Sequence, residues 1–207
     1  MKTFARLAAL MLALCVVGCA STPQAHFYTL GTESASTGAA ATQRQLSLGL
    51  GPIDLPQYLD RPQIVTRDGG NRLSVDEFNR WGGSLDEEIQ RALGARLAAR
   101  LGTERIYPYP SRIVASTDYR LALEIRTFDG RIGGDVELDL AWSLIDDRTA
   151  DVLEVRRATY RRAVAQPGYG AYVAALGELL ADFADDVAAA VDQTATTAKK
   201  NPPKDGG

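Results

Sequence analysis

At 207 residues and 45% hydrophobic content, the chain has material for one domain with a single core. Its 23 basic and 26 acidic residues leave a formal net charge of −3, which gives no electrostatic footprint for nucleic acid. Two cysteines and one histidine exclude a disulfide framework, a Cys-based zinc site and most His-dependent hydrolase chemistry.

The first element is a leader. Lys2 and Arg6 precede an apolar run from Leu7 to Val17, closed by Gly18-Cys19. That pattern describes a secretory signal peptide over residues 1–18, and the run is too short for a spanning helix of about 20 residues. Without Lys2 and Arg6 the chain keeps 21 basic residues against 26 acidic ones. Val16-Val17-Gly18-Cys19 also resembles the lipobox of bacterial lipoproteins. In those proteins the cysteine sulfur carries diacylglycerol, the signal is cut before it, and the new amine receives a fatty acid such as palmitate. Cys19 is therefore the expected lipid attachment and the only expected prosthetic group, and several acyl chains on one residue anchor stably. Cys15 leaves with the signal, so the domain that follows has no thiol.

Residues 19–193 read as one α+β domain. His26 lies close behind the anchor, where a solvated linker or strand-edge role outweighs catalysis. Phe27-Tyr28-Thr29-Leu30 is β-prone, and the Gly/Ser/Thr/Ala-rich residues 31–45 read as a flexible loop. Leu46, Leu48 and Leu50 alternate as a strand ahead of Gly51-Pro52. The prolines at 52, 56 and 62 make the next ten residues a turn or irregular segment. Residues 63–67 and 72–75 flank Asp68-Gly69-Gly70-Asn71 as a hairpin.

Ser84 with Glu87 forms a capping box ahead of a helix that ends at Gly102, and Leu85, Ile89, Ala92, Leu93, Leu97 and Leu101 give it one apolar face. Ile106 to Pro110 is an extended edge run. Three long strands follow as an antiparallel meander: alternation from Tyr119 to Ile125, then Val136 to Leu144, then residues 152–164. Phe128 breaks the alternation and predicts a bulge near Thr127. A last amphipathic helix is expected over about Gly170 to Asp192, and the polar tail 194–207 reads as disordered. The fold class expected from these elements is an antiparallel sheet with two amphipathic helices on one face.

The stretch Leu50-Gly51-Pro52-Ile53-Asp54-Leu55-Pro56-Gln57-Tyr58-Leu59-Asp60-Arg61-Pro62-Gln63-Ile64-Val65-Thr66-Arg67 resembles the signature of the ABC-type transport auxiliary lipoproteins of MCE-type systems, the PqiC-like or paraquat-inducible lipoprotein family. Phe27 to Leu30, Glu77 to Trp81, Tyr107-Pro108, Phe128, Gly133-Gly134 and the Trp142 strand match in order, over about residues 19 to 190. The resemblance implies a non-enzymatic lipoprotein of envelope lipid transport. It would sit in the outer membrane, face the periplasm, and dock an MCE-domain protein that bridges to an inner-membrane permease and ATPase. It also implies a homo-oligomer, and Ala20 after Cys19 agrees with outer-membrane sorting. The signature residues are Pro52, Leu55, Pro56, Tyr58, Leu59, Arg61, Pro62 and Trp81.

Physical chemistry gives each signature residue a plainer role beside the family one. The prolines fix a backbone path, and Tyr58 and Leu59 pack beneath it. Arg61 suits hydrogen bonding to carbonyls or to lipid phosphate, and Trp81 suits a partner surface or burial against the first helix. Arg156, Arg157, Arg161 and Arg162 protect an edge strand, or meet an acidic neighbouring subunit or lipid head groups. A monomeric lipid carrier is the alternative function and would need a cavity between helices and sheet. No catalytic residue and no metal ligand set stands out.

Overall fold

The computed structural model describes residues 24–31 and 44–200. The leader, Cys19, most of the expected loop and the end of the tail lie outside these residues. In chain order the elements are β1 (His26–Tyr28), β2 (Leu48–Asp54), β3 (Gln63–Arg67), β4 (Leu73–Trp81), α1 (Leu85–Leu101), β5 (Ile106–Pro108), β6 (Tyr119–Gly130), β7 (Asp135–Asp146), β8 (Val152–Ala163) and α2 (Tyr169–Lys200).

The meander β6-β7-β8 is antiparallel throughout and is the centre of a five-stranded sheet ordered β5-β2-β6-β7-β8. Period-two alternation builds it: Leu121, Leu123, Val136, Leu138, Leu140, Trp142 and Leu144 are buried, while Glu124, Arg157 and Arg161 point to solvent. The expected bulge is present. Ile125 pairs with Leu140 and Thr127 with Asp139, so Arg126 is an extra residue and Phe128 returns to the core face.

Two points correct the sequence reading of the sheet. First, it is mixed: β2 runs parallel to both β5 and β6. Second, the hairpin β3-β4 belongs to a separate three-stranded sheet, β1-β4-β3, in which β1 is parallel to β4. Alternation reveals which side chains share a face but carries no sign for strand direction. The expected irregular segment also starts later, because β2 continues through Pro52 to Asp54.

Both helices pack on one face of the large sheet, α1 over β2 and β5, α2 over β7 and β8, and they touch each other. The apolar face of α1 is buried as its spacing predicts, and Gly102 ends it in the left-handed region at φ 63, with its N–H bonded to the Ala98 carbonyl. The capping box does not form: Ser84 sits at the N-cap with no side-chain bond. Glu88, one of three acidic residues in the first turn of α1, is buried and accepts the Leu30 N–H at 2.8 Å.

α2 starts at Tyr169 and runs to Lys200, beyond the expected end at Asp192 and into the stretch read as disordered. The hydroxyls of Thr196 and Thr197 donate to the carbonyls of Asp192 and Gln193, four residues back, so polar residues there continue the helix. Phe183 is the keystone of the α2 interface, lying edge-on to Trp142 at 6.1 Å and beside Tyr160 at 6.2 Å.

Candidate functional site

The signature segment begins with a close approach. Gly51 has φ 128, and a Cβ there would sit 2.7 Å from the Tyr109 carbonyl oxygen, so only glycine lets β2 pass. Pro52 is exposed, and Leu55 and Pro56 are half-buried. The Pro56 carbonyl accepts the Leu59 N–H at 2.9 Å, which drops Leu59 into the core at 2% exposure. The Pro62 carbonyl then accepts the Trp81 N–H at 2.8 Å and ties the segment to β4. Trp81 is buried and belongs to the core rather than to a surface. Arg61 is exposed, and its guanidinium has no protein partner among the described residues.

Tyr58 and Arg67, at the two ends of the segment's second half, converge on one carboxylate. Asp129 has 0% exposure. It accepts the Tyr58 hydroxyl at 2.6 Å and an Arg67 Nη2–H at 3.0 Å, while the Arg67 Nε–H donates to its other oxygen. One residue on, the Gly130 N–H donates to the Tyr172 hydroxyl at 3.0 Å, and that hydroxyl donates to the Val65 carbonyl at 2.9 Å. The unit therefore joins the small sheet, the end of β6 and α2. It lies where β2 stops pairing with β6 at Glu124 and leaves the last residues of β6 without a neighbour on that side.

The electrostatics hold both tyrosines and the arginine of this unit protonated. Burial, then the hydrogen bond to Asp129, pushes the Tyr58 phenol well above its usual range. Burial, followed by the nearby Asp129 charge, does the same to Tyr172. The Asp129 hydrogen bond raises Arg67 further. Neither tyrosine nor the arginine releases a proton near neutral pH, so their hydrogen bonds persist there and tie the strands together.

A second tie holds the N-terminal end. Leu30 is fully buried, its N–H is bonded to Glu88, and its carbonyl accepts from Arg91 at 3.2 Å. Tyr28 donates to Asn79 at 2.9 Å and packs near Tyr169 at 6.1 Å. His26 is exposed on β1, distant from any cluster of candidate ligands. Among the described residues no group of His, Cys, Asp and Glu is arranged to hold a metal, and no helix is long and apolar enough to cross a membrane.

Three of the four arginines of β8 find partners within the chain. Arg156 pairs with Glu154 and lies over Trp142 at 5.7 Å, Arg161 pairs with Glu137, and Arg162 reaches Asp182 at 2.6 Å and Glu178 at 3.1 Å. Arg157 is exposed. Surface clefts occur beside α1 and β5 (about 350 Å³), between the β3–β4 and β6–β7 turns (about 500 Å³) and on the outer sheet face (about 330 Å³). No α2 side chain lines any of them, and the space between α2 and the sheet is filled by Leu138, Trp142, Leu176, Leu180 and Phe183.

Two carboxyls outside this unit contribute to the acid limb of stability. Burial alone would raise the Asp147 carboxyl, but the N–H and hydroxyl of Thr117 and the Arg120 guanidinium outweigh it and hold Asp147 below its usual range. The Phe78 N–H, helped by Asn79, does the same for Asp76. Depressed carboxyls contribute stability above their unfolded value near pH 4, and that contribution is lost as pH falls through the folded value. The urea midpoint is accordingly expected to drop between about pH 5 and pH 3, and Asp147→Asn to flatten that slope. An unchanged slope in Asp147→Asn would assign the acid sensitivity to other groups.

The model of the ABC-type transport auxiliary lipoprotein component matches residues 28–188, which takes in both sheets, α1 and most of α2. This chain belongs to that family. The auxiliary lipoprotein family therefore supplies the coarse role, a component of a transport system associated with a membrane. Within it, the chain is 26% identical over 133 residues to the intermembrane transport lipoprotein PqiC of Escherichia coli K12, covering 64% of this chain and 70% of PqiC. PqiC of Shigella flexneri matches to the same extent. A solved structure from Xanthomonas campestris shares the fold with TM-score 0.61 and 18% identity, covering 86% of this chain and 97% of that one. A second, of an uncharacterized protein, gives TM-score 0.66 at 18% identity over 82% and 99%.

Of the expected signature residues, the fold brings Tyr58 into the Asp129 unit, puts Leu59 and Trp81 in the core and leaves Pro52, Arg61 and Pro62 at the surface. Cys19 lies outside the described residues. Sequence reasoning missed Asp129, Tyr172 and Glu88. The available signal for Asp129 was the nearby bulge, which resets the alternation so that Asp129 falls on the polar face of β6.

Proposed function

We propose that this chain is the outer-membrane lipoprotein subunit of an MCE-type ABC lipid transport system, a non-enzymatic part that docks the periplasm-spanning MCE protein and supports envelope integrity. In this reading Cys19 carries the lipid, the domain faces the periplasm, and several copies assemble beside the bridge from the inner-membrane permease and ATPase. The observation that carries it is a family match over residues 28–188 directly behind the Cys19 lipobox. The hydrogen bonds of the Tyr58–Arg67–Asp129 unit tie the signature segment to β6, which supports a docking role, since a surface that receives a partner benefits from preorganisation.

Cys19→Ala is the direct test of the anchor. The variant is expected to leave the membrane fraction while its urea midpoint stays unchanged, because the core formed by the described residues contains no cysteine. A Cys19→Ala protein that still floats with outer membranes after a high-salt wash would place the anchor elsewhere. The docking role is checked separately by recovery of the native protein from detergent-solubilised membranes. Absence of an MCE-domain partner would remove that role and leave the lipoprotein assignment standing.

A further inference from the structure

β1 begins seven residues after Cys19. At about 3.5 Å per extended residue, that tether spans at most about 25 Å. A domain of this size is roughly 40 Å across, since its radius of gyration is about 15 Å. If Cys19 holds the lipid, the tether is shorter than the domain it restrains, and only the surface around β1 reaches the bilayer.

That surface exposes two phenylalanines. Phe27 on β1 is 67% exposed and Phe78 on β4 is 40% exposed. The register pairs Phe27 with Arg80, and Phe78 lies two positions before Arg80 on the same strand. Two phenylalanines and an arginine therefore share one face of the β1–β4 pair as diagonal and direct neighbours. The opposite face carries Tyr28, Asn79 and Trp81 toward the core. Phenylalanine in water costs what burial in an interface recovers, and arginine at its side suits phosphate oxygens.

We propose that this β1–β4 face rests on the membrane that holds the anchor, with Phe27 and Phe78 inserted among the acyl-chain ends and Arg80 at the head-group phosphates. The inference depends on the Cys19 reading. It adds a second point of contact, and two contacts fix orientation where a single tether leaves the domain free to roll.

The test uses the full-length acylated protein in vesicles of phosphatidylethanolamine and phosphatidylglycerol, with and without acyl-chain bromine. Native Trp81 and Trp142 are buried and supply a constant background. Phe27→Trp and, separately, Phe78→Trp add a reporter on the proposed face, and Val155→Trp adds one on β8, where Val155 is 69% exposed. The first two are expected to lose more than about half of their added emission to bromine, and Val155→Trp to lose little. Protein that floats with the vesicles but shows equal quenching at all three positions overturns the membrane face and leaves the anchor in place. Emission from Phe27→Trp that is blue-shifted yet unquenched shows the face covered by protein and overturns it too. Protein that does not float overturns the anchor and the face together.

Discussion

Arg67→Met is expected to destabilise the domain by about 3–5 kcal/mol, more than any change to the carboxylate it binds. The asymmetry comes from exposure. The Asp129 side chain is 0% exposed and the Arg67 side chain 34%. Removing the arginine strands a fully buried anion with only the Tyr58 hydroxyl to satisfy it. Removing the charge from the other side is milder. Asp129→Asn keeps an acceptor for Tyr58, and Arg67 turns toward water, so a cost of about 1–2 kcal/mol is expected. The double variant Arg67→Met with Asp129→Leu is expected to recover most of what Arg67→Met alone loses, because an apolar pair of similar volume replaces a buried ion pair without an orphaned charge. Urea unfolding of the three proteins gives the order directly. An Arg67→Met protein within about 1 kcal/mol of the native one would mean that the pair behaves as a surface contact.

The second large effect belongs to Phe183→Ala, at about 3–5 kcal/mol. Phe183 is 1% exposed and its ring meets Trp142 and Tyr160 from two strands, so truncation empties the centre of the α2 interface. The near-ultraviolet signal of Trp142 is expected to weaken in the same variant, since its fixed neighbour is gone. Phe183→Leu fills most of the volume and is expected to cost less than about 1.5 kcal/mol. Equal losses in the two variants would show that the aromatic edge contact, and not volume, holds the helix.

Much of this architecture was legible in the sequence because apolar side chains report their own burial. The meander, the bulge beside Thr127, both helix faces and the Gly102 stop follow from spacing alone. What was hidden depends on the third dimension. The parallel pairing of β2 with β5 and β6 leaves the same period-two trace as an antiparallel one, so an all-antiparallel sheet was expected. Asp129 pairs with Glu137, a polar position by alternation, and only the arrival of Arg67 and Tyr58 from distant segments buries it. Glu88 illustrates the same limit, since its position in the first turn of α1 suggested the dipole rather than the Leu30 N–H. Tyr58 and Trp81 were singled out by family resemblance. Neither composition nor period would have separated them from the other aromatics.

The three-residue strand β1 has a mechanical meaning. If Cys19 carries the proposed anchor, drag on the domain would be felt first at the N-terminus and would enter a strand hydrogen-bonded alongside β4. Next in line is Leu30, a plug seated at 0% exposure whose N–H and carbonyl are gripped by two residues of α1. Force that strips β1 must then extract a leucine from the core before it can unravel anything else. The N-terminal end is thus held twice, by the small sheet and by α1, before a load could reach the large sheet.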